Sequence, residues 1–267
     1  MYAYVINLAR STDRRAHITA ELEKTGVKYE IFTAVDGREV DLADTSIIDP
    51  SLPNFTQFLP GTAGAALSHF SVYQKIIEDG HDVALVLEDD VTLPADLDSL
   101  ADAAALQLSG PEVALLSYDS YEACKMSREG ATRLPASRQL ALPIDINQPS
   151  SGGAYIITRE ACKRMAKFIL PVRVNPDDWW YFYREGVIDR LRCVVPLSVF
   201  KTGKLTSTMG SYSLGNGVKG RVAWALVNRK IPLLHQLLAY RRQRIYRQWG
   251  RFEIVDTPFI DKPSRLE

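Results

Sequence analysis

The chain has 267 residues, of which 46% are hydrophobic and 24% are charged. This composition is typical of a globular protein with a sizeable core and excludes a disordered or fibrous chain. The formal net charge is zero, but residues 1–200 carry 19 basic and 28 acidic side chains, whereas residues 201–267 carry 13 basic and 4 acidic ones. An acidic body with a basic C-terminal part predicts that this part meets an anionic partner.

Cysteine usage and hydropathy bear on the cellular compartment. The three cysteines, Cys124, Cys162 and Cys193, form no CxxC or Cys/His metal pattern, which favours a reduced protein. The apolar segment YAYVINLA is too short for a signal peptide, and no run approaches the roughly 20 apolar residues that a membrane span needs. We therefore expect a cytoplasmic protein, with a peripheral position on the inner face of the plasma membrane as an alternative.

In the first third of the chain, strands and helices are predicted to alternate. Residues 2–8 are rich in β-formers and predict a strand, and apolar spacing over 11–24 predicts a helix. A second strand over 29–35 ends at a turn. Residues 41–60 lack periodicity and contain three prolines, which predicts an irregular loop. Residues 64–79 predict an amphipathic helix.

The alternation continues along the rest of the chain. Residues 83–87 are continuously apolar, as is typical of a buried strand in a parallel sheet. Residues 120–150 are polar and predict a loop or hairpin region. The other predicted elements are a helix from about residue 94, strands over 113–118, 153–158 and 192–200, and a helix over 159–168. Together they predict an α/β sandwich with a mostly parallel sheet.

The sequence VLEDDV places three carboxylates directly after the apolar strand. Successive side chains of an extended chain point to opposite faces, so Glu88 and Asp90 are expected to project together and Asp89 to project away. Open α/β sheets hold ligands at the carboxyl ends of their strands, and this pair suits Mg²⁺ or Mn²⁺ shared with phosphate oxygens. The alternative is an acidic turn that caps the next helix.

Two motifs near the N-terminus carry polar groups suited to a nucleotide. VINLARSTDRR brings Arg10 and Arg14 to the end of the first strand, and guanidinium groups form bidentate contacts with phosphate. FTAVDG ends a strand with Val35 and Asp36, which could contact the face and the edge of a nucleobase. The alternatives are a solvated first helical turn and a plain Asp–Gly turn.

Two glycine-containing motifs allow close backbone approach to a ligand. GTAGAALSH combines small residues with Ser68, and its histidine has a structural role as the alternative. SSGGAYIIT contains Gly152 and Gly153, whose missing side chains admit a substrate. The alternative for this pair is a simple β-turn.

The motif NPDDWW combines carboxylates with aromatic rings. Asp177 or Asp178 could serve as a catalytic base, and Trp179 and Trp180 could stack on a sugar ring. Adjacent tryptophans are also ordinary core residues, and this alternative stays open.

In combination, VINLARSTDRR, FTAVDG, GAALSH, VLEDDV, GGAYIITREA and PDDWW resemble glycosyltransferase family 25, in the order in which the family has them. This is the lipopolysaccharide-biosynthesis galactosyltransferase family, which includes collagen galactosyltransferases. The resemblance covers roughly residues 1–200. It implies a nucleotide-sugar-binding α/β/α sandwich of the GT-A type over residues 1–210. We expect residues 211–267 to form a basic helical extension, either packed on this domain or associated with a membrane.

The resemblance also implies a UDP-sugar donor, usually UDP-galactose, dependence on Mn²⁺ (or Mg²⁺), and inversion at the anomeric carbon. By family position and strand geometry, Asp90 and Glu88 are the expected metal ligands. The family's downstream acidic residue falls on Asp178, the expected general base, with Asp177 as the alternative. From the motifs and the resemblance together, the expected donor-binding residues are Asn7, Leu8, Arg10, Arg14, Val35, Asp36, Ser68, Glu88, Asp89, Gly152 and Gly153.

The expected reaction moves a hexose, in the first place galactose, to a saccharide acceptor of lipopolysaccharide, lipooligosaccharide or a related surface glycan. A sugar-nucleotide nucleotidyltransferase is the first alternative, but it would carry a glycine-rich phosphate loop with a lysine where this chain has LARSTDRR. A catalytically inactive carbohydrate-binding protein is the second, and the intact EDD and PDDWW motifs count against it. No nucleic-acid partner is expected.

Residues 219–251 have a rough apolar stripe beside many arginines. This pattern suits an interfacial helix on anionic lipid, as a lipid-linked acceptor would require. The alternative is a pair of helices packed on the domain, interrupted at Pro232.

Overall fold

A computed structural model describes residues 1–50, 60–120, 123–202 and 251–257. The strands are β1 (Tyr2–Asn7), β2 (Lys28–Thr33), β3 (Val83–Glu88), β4 (Val91–Thr92), β5 (Glu112–Leu115), β6 (Cys124–Leu134), β7 (Arg138–Pro143), β8 (Ala154–Thr158), β9 (Arg190–Val195), β10 (Phe200–Lys201) and β11 (Phe252–Val255). The helices are α1 (Thr12–Leu22), α2 (Pro60–Glu78), α3 (Leu97–Ala105), α4 (Arg159–Phe168) and α5 (Trp179–Arg184), with a 3-10 turn at Gly37–Glu39.

Nine strands form one mixed sheet in the order β11-β6-β7-β9-β5-β8-β3-β1-β2. The pairings β1–β2, β1–β3, β5–β9 and β6–β11 are parallel. The remaining pairings, β3–β8, β5–β8, β6–β7 and β7–β9, are antiparallel. Within the described residues, only β7 and β8 therefore run against the other seven strands. This confirms the predicted α/β class with a mostly parallel sheet.

Helices cover both faces of the sheet because its central strands are apolar on both sides. In β1, Tyr4 packs in the cluster formed with α2, α4 and α5, whereas Ala3 and Val5 pack in the cluster formed with α1 and α3. β3 divides in the same way, with Val86 on the first side and Leu87 on the second. The alternation of side chains along each strand thus produces three layers.

Several boundaries differ from the predicted ones. α2 starts four residues earlier than predicted, at Pro60, which is tolerated because proline lacks an amide hydrogen that the first helical turn does not need. The polar region 120–150 contains the β6–β7 hairpin. The strand predicted over 192–200 ends at Val195, before Pro196, and the two residues of β10 form a separate small sheet with β4.

The C-terminal part contributes one strand to the main sheet. β11 pairs in parallel with β6, with Phe252 opposite Cys124, although the predicted boundary at residue 210 places this strand in the extension. The predicted basic helices of residues 219–251 lie almost entirely outside the described residues, as does the segment 51–59 of the predicted loop. Among the helices that the structure describes, none is both long and apolar enough to cross a membrane.

Candidate active site

The predicted site residues meet at the edge of the sheet where β1, β2 and β3 end. β8 runs in the opposite direction, so the residues that precede it, Gly152 and Gly153, reach the same edge. The carbonyl oxygen of Gly153 accepts a hydrogen bond of 2.9 Å from the backbone amide of Glu88. Sheet topology thus joins the glycine pair to the acidic motif, at the edge where α/β proteins bind ligands.

Asp89 is bound by Asn7 and Arg14 of the N-terminal motif. Only 6% of this residue is exposed. Asn7 Nδ2 donates to Asp89 Oδ2 at 2.8 Å, and Arg14 Nη1 donates to Asp89 Oδ1 at 2.7 Å. Burial raises the pKa of Asp89, and these two hydrogen bonds oppose that shift. Asn7, Arg14 and Asp89 therefore anchor the acidic motif in the fold.

Glu88 and Asp90 are half-buried, in contrast to the buried Asp89. Burial raises the pKa of Glu88 to about 7, against the lowering effect of Lys201 and with a further raising effect from Asp90 and Asp177. Asp90 Oδ2 lies 3.3 Å from Arg14 Nη1. Asp90 Oδ1 is buried and, among the described residues, has no hydrogen-bond partner. A buried oxygen without a partner is one that an ion or a water molecule would satisfy.

This donor set fits a divalent metal that is shared with a substrate. Among the residues that the structure describes, no group of three or more histidines, cysteines or carboxylates is arranged to hold a metal alone. Two carboxylates with an unpartnered oxygen match the way Mg²⁺ is bound, through one or two carboxylates and the phosphates of a substrate. The residues that would hold the ion are Asp90 and Glu88.

The two carboxylates of the NPDDWW motif have different surroundings. Asp178 Oδ2 accepts hydrogen bonds from the Asn175 amide at 2.9 Å and from Asn175 Nδ2 at 3.3 Å, which ties it to the loop before α5. Asp177 accepts a backbone hydrogen bond from Gly152 and interacts with the charge of Lys201. Burial raises the pKa of both carboxyls. Asp177 is therefore the carboxylate of this motif whose charge acts on both Glu88 and Lys201.

Trp179 and Trp180 also differ in their surroundings. Trp179 is 0% exposed and packs against Tyr155 at a ring distance of 5.0 Å, while its Nε1 donates to the Ser151 carbonyl at 3.0 Å. Its predicted role in stacking on a sugar is corrected, because its ring is enclosed by the core. Trp180 is half-buried, with the guanidinium of Arg184 5.4 Å from its ring centre.

The predicted nucleobase side lies between the end of β2 and α2. Ser68 Oγ accepts from the amide of Val35 at 2.9 Å and donates to the carbonyl of Gly64 at 2.6 Å. A Cβ on Gly64 would lie 2.8 Å from the carbonyl oxygen of Val35, so only glycine lets α2 approach this closely. Ser68 thus positions the Val35 backbone, and its own hydroxyl is already engaged.

Asp36 sits between two arginines. Arg10 Nη1 contacts it, and Arg38 Nη2 donates to Asp36 Oδ2 at 2.6 Å. The Arg38 guanidinium, followed by that of Arg10, holds the pKa of Asp36 well below its usual range. Leu8 is half-buried nearby and accepts at its carbonyl from the Ser11 amide at 2.8 Å. This part of the edge carries both positive and negative groups near the surface.

Gly152 accounts for the contact between the acidic motif and the core. A Cβ at this position would lie 3.1 Å from Glu88 Oε1 and 3.4 Å from His69 Nε2. His69 is buried and its Nδ1 lies 2.7 Å from the hydroxyl of Tyr155. Burial lowers the pKa of His69 to about 4, which favours the neutral ring.

Comparison with known proteins identifies the family of this chain. The family model described as glycosyltransferase family 25 (LPS biosynthesis protein) matches residues 1–180. The chain belongs to glycosyltransferase family 25. This match contains every residue of the predicted site, from Asn7 to Trp180, but it ends before Lys201.

Individual relatives match shorter parts of the chain than the family model does. The lipooligosaccharide biosynthesis protein lic2B of Haemophilus influenzae is 25% identical over 178 residues, which is 64% of this chain and 65% of that protein. Procollagen galactosyltransferase 1 of Danio rerio is 30% identical over 95 residues, which is 33% of this chain and 16% of that protein. The chain thus spans less than two thirds of the length of these curated relatives. A glycosyltransferase involved in glycosylation of the major capsid of PBCV-1 covers 77% of this chain and 93% of its own at a TM-score of 0.37 and 11% identity.

Two residues beside the acidic motif, Asp119 and Lys201, are not among those predicted from the sequence. Lys201 Nζ lies 3.5 Å from Asp119 Oδ2, and both groups interact with the charges of Glu88, Asp90 or Asp177. A signal was present, because Asp119 directly follows the strand predicted over 113–118 and Lys201 follows the one predicted over 192–200. Residues that follow parallel strands reach the same edge of a sheet.

The separation of the two tryptophans gives a stability prediction. Trp179→Ala is expected to lower the free energy of unfolding by about 3–5 kcal/mol, because it opens a cavity in the core and leaves the Ser151 carbonyl without its donor. Trp180→Ala is the matched control and should cost about 1 kcal/mol or less. Urea denaturation of both variants measures the difference. Equal losses would contradict the assignment of Trp179 to the core.

Proposed function

We propose that this family 25 chain is a metal-dependent inverting glycosyltransferase that moves a hexose, in the first place galactose, from a UDP-sugar to a saccharide acceptor. One observation carries the proposal: Glu88, Asp90 with its unpartnered buried oxygen, and Asp177 converge with Lys201 at the carboxyl edge of the sheet. The names of the relatives support the substrate class, because they include procollagen galactosyltransferases and a lipooligosaccharide biosynthesis protein.

The carboxylates of the acidic motif have separate tasks in this reaction. Asp90 and Glu88 would hold Mn²⁺ or Mg²⁺, and the ion would supply positive charge to stabilise the departing diphosphate. Asp89 stays in its contacts with Asn7 and Arg14 and keeps the motif in position. Because these contacts are buried, the two open carboxylates keep their place whether or not a donor is present.

Asp177 is the general base of the proposed reaction. It removes the proton of the acceptor hydroxyl as that oxygen attacks the anomeric carbon and the bond to the UDP oxygen breaks. A single displacement of this kind inverts the anomeric carbon and requires one base. Asp178 is the weaker candidate because Asn175 occupies its Oδ2. Trp180, which is only half-buried, is the ring left to contact a sugar.

The decisive experiment is a panel of UDP-sugars with Mn²⁺ and saccharide acceptors, with release of UDP as the readout. UDP-galactose should give the highest turnover, and EDTA should abolish it. Release of pyrophosphate from a sugar phosphate and UTP would instead indicate a nucleotidyltransferase. Binding of UDP-sugars without turnover for any donor or acceptor would indicate the inactive carbohydrate-binding alternative.

The acceptor that we propose is a saccharide of lipopolysaccharide, lipooligosaccharide or a related surface glycan. A lipid-linked acceptor would be met at the inner face of the plasma membrane, with residues 219–251 as the proposed contact to anionic lipid. Replacing the arginines of this segment by glutamine in the full chain should reduce flotation with anionic liposomes but not with neutral ones. Unchanged flotation with anionic liposomes would reject the membrane contact.

A further inference from the structure

Lys201 is surrounded by negative charge. Its ammonium interacts with the charges of Glu88, Asp119, Asp90 and Asp177, and these carboxylates together raise its pKa although burial lowers it. A quarter of the side chain remains exposed. The lysine is therefore enclosed by the acidic cluster without being fully buried.

The backbone fixes this lysine to the acidic motif. β10 pairs with β4 so that Lys201 lies opposite Val91, the residue after Asp90. The amide of Thr202 donates to the carbonyl of Asp90 at 2.7 Å. A Cβ on Gly153 would lie 3.3 Å from Lys201 Cε, so the absent side chain of this glycine leaves room for the lysine. The position of the ammonium is thus built into the fold.

A fixed positive charge at this place has two electrostatic consequences. It repels a divalent cation that approaches Glu88 and Asp90, so the ion binds more weakly to the protein alone. It also attracts a diphosphate, which could not otherwise approach four carboxylates without strong repulsion. A bound diphosphate would supply negative charge near both the lysine and the divalent ion, which would offset the repulsion between the two cations.

We propose that Lys201 is a donor-binding residue that contacts the diphosphate and makes divalent-metal binding depend on the nucleotide. This inference rests on the proposed function, because it takes the diphosphate of a UDP-sugar as the ligand. Lys201 lies beyond the residues that match the family model, so the assignment comes from the contacts of this chain.

The test is equilibrium binding by the full chain and three variants. Mn²⁺ binding is measured by electron paramagnetic resonance with and without UDP, and UDP binding by calorimetry at saturating Mn²⁺. Lys201→Met should bind UDP roughly tenfold to a hundredfold more weakly, yet bind Mn²⁺ alone more tightly than the unaltered chain. Lys201→Arg keeps the charge and should remain close to the unaltered chain in both measurements. Lys163→Met, which removes an exposed lysine on α4, is the control and should change neither.

Two results would overturn the proposal: unchanged UDP affinity in a folded Lys201→Met, or weaker Mn²⁺ binding by that variant without nucleotide. If Lys201→Met does not fold, the unaltered chain decides the question. Linkage requires UDP to raise the Mn²⁺ affinity of the unaltered chain, and a coupling of about 1.4 kcal/mol corresponds to a tenfold increase. Equal Mn²⁺ affinities with and without UDP reject the idea. Absence of hexose transfer with this coupling intact would reject the proposed function alone, whereas turnover without the coupling would reject the role of Lys201 alone.

Discussion

Asp90→Asn is expected to lower the rate of hexose transfer by about a hundredfold to a thousandfold and to remove the Mn²⁺ dependence of UDP binding. The substitution replaces one carboxylate oxygen by an amide nitrogen and removes the charge that would hold the ion. The other Asp90 oxygen and the backbone carbonyl that accepts from Thr202 are preserved, so the backbone contacts of the motif stay in place. Transfer is measured as UDP release, and Mn²⁺-dependent UDP binding by calorimetry.

The folded state should tolerate this change at Asp90. Neutralising one carboxylate beside Glu88 and Asp177 relieves repulsion between like charges, so thermal stability should be equal to or higher than that of the unaltered chain. Glu78→Gln, which also converts a carboxylate to an amide but on the exposed part of α2, is the matched control and should keep full activity. Retained transfer together with Mn²⁺-dependent UDP binding in Asp90→Asn would end the metal-site proposal.

Asp177→Asn should mainly reduce turnover, whereas Asp178→Asn should mainly reduce stability. Loss of the general base in Asp177→Asn is expected to reduce kcat by about a hundredfold to ten-thousandfold, with little change in the affinity for UDP and Mn²⁺. Asparagine at this position can still accept the hydrogen bond from Gly152, so the loop should keep its place. Asp178→Asn should keep kcat within a few fold and lower the free energy of unfolding by about 1 kcal/mol, because its hydrogen bonds to Asn175 weaken. Steady-state kinetics and urea denaturation of both variants measure these quantities.

The pH profile gives a second readout of the same assignment. A base must be deprotonated to act, and burial raises the pKa of Asp177 above its ordinary value. Activity should therefore be lost as the pH falls through this raised pKa, at a higher pH than a solvated aspartate would give. If Asp178→Asn instead of Asp177→Asn abolishes turnover, the base is Asp178 and the order predicted from the sequence is restored.

The sequence predicted those parts of the fold that follow from regular periodicity. Alternation along β1 and β3 decides which side chains face each helical layer, and it also separated Asp89 from Glu88 and Asp90. Local spacing could not predict the pairing of β4 with β10, because two-residue strands have no measurable period. The strand predicted over 192–200 indicated that Lys201 reaches the edge of the sheet, but its place beside Asp90 depends on that pairing.

The NPDDWW motif shows a different limit. Its residue types predicted a carboxylate and an aromatic ring for the site, but adjacent residues cannot be ranked from composition. Asp178 accepts two hydrogen bonds from Asn175, whereas Trp179 packs against Tyr155 and donates to the Ser151 carbonyl. Asn175 belongs to the motif itself, whereas Tyr155 and Ser151 lie on another segment. The separation of Trp179 from Trp180 therefore depends on tertiary contacts.

The parallel pairing of β11 with β6 has a consequence for how the chain is produced and shortened. Phe252 lies opposite Cys124, 128 positions earlier in the chain, so during synthesis the outer edge of β6 stays open until the ribosome has added that distant segment. A chain cut after residue 209 would keep this edge open permanently, and unpaired strand edges template association with other chains. Soluble expression should therefore depend on residues 252–255, even though every predicted catalytic residue precedes them.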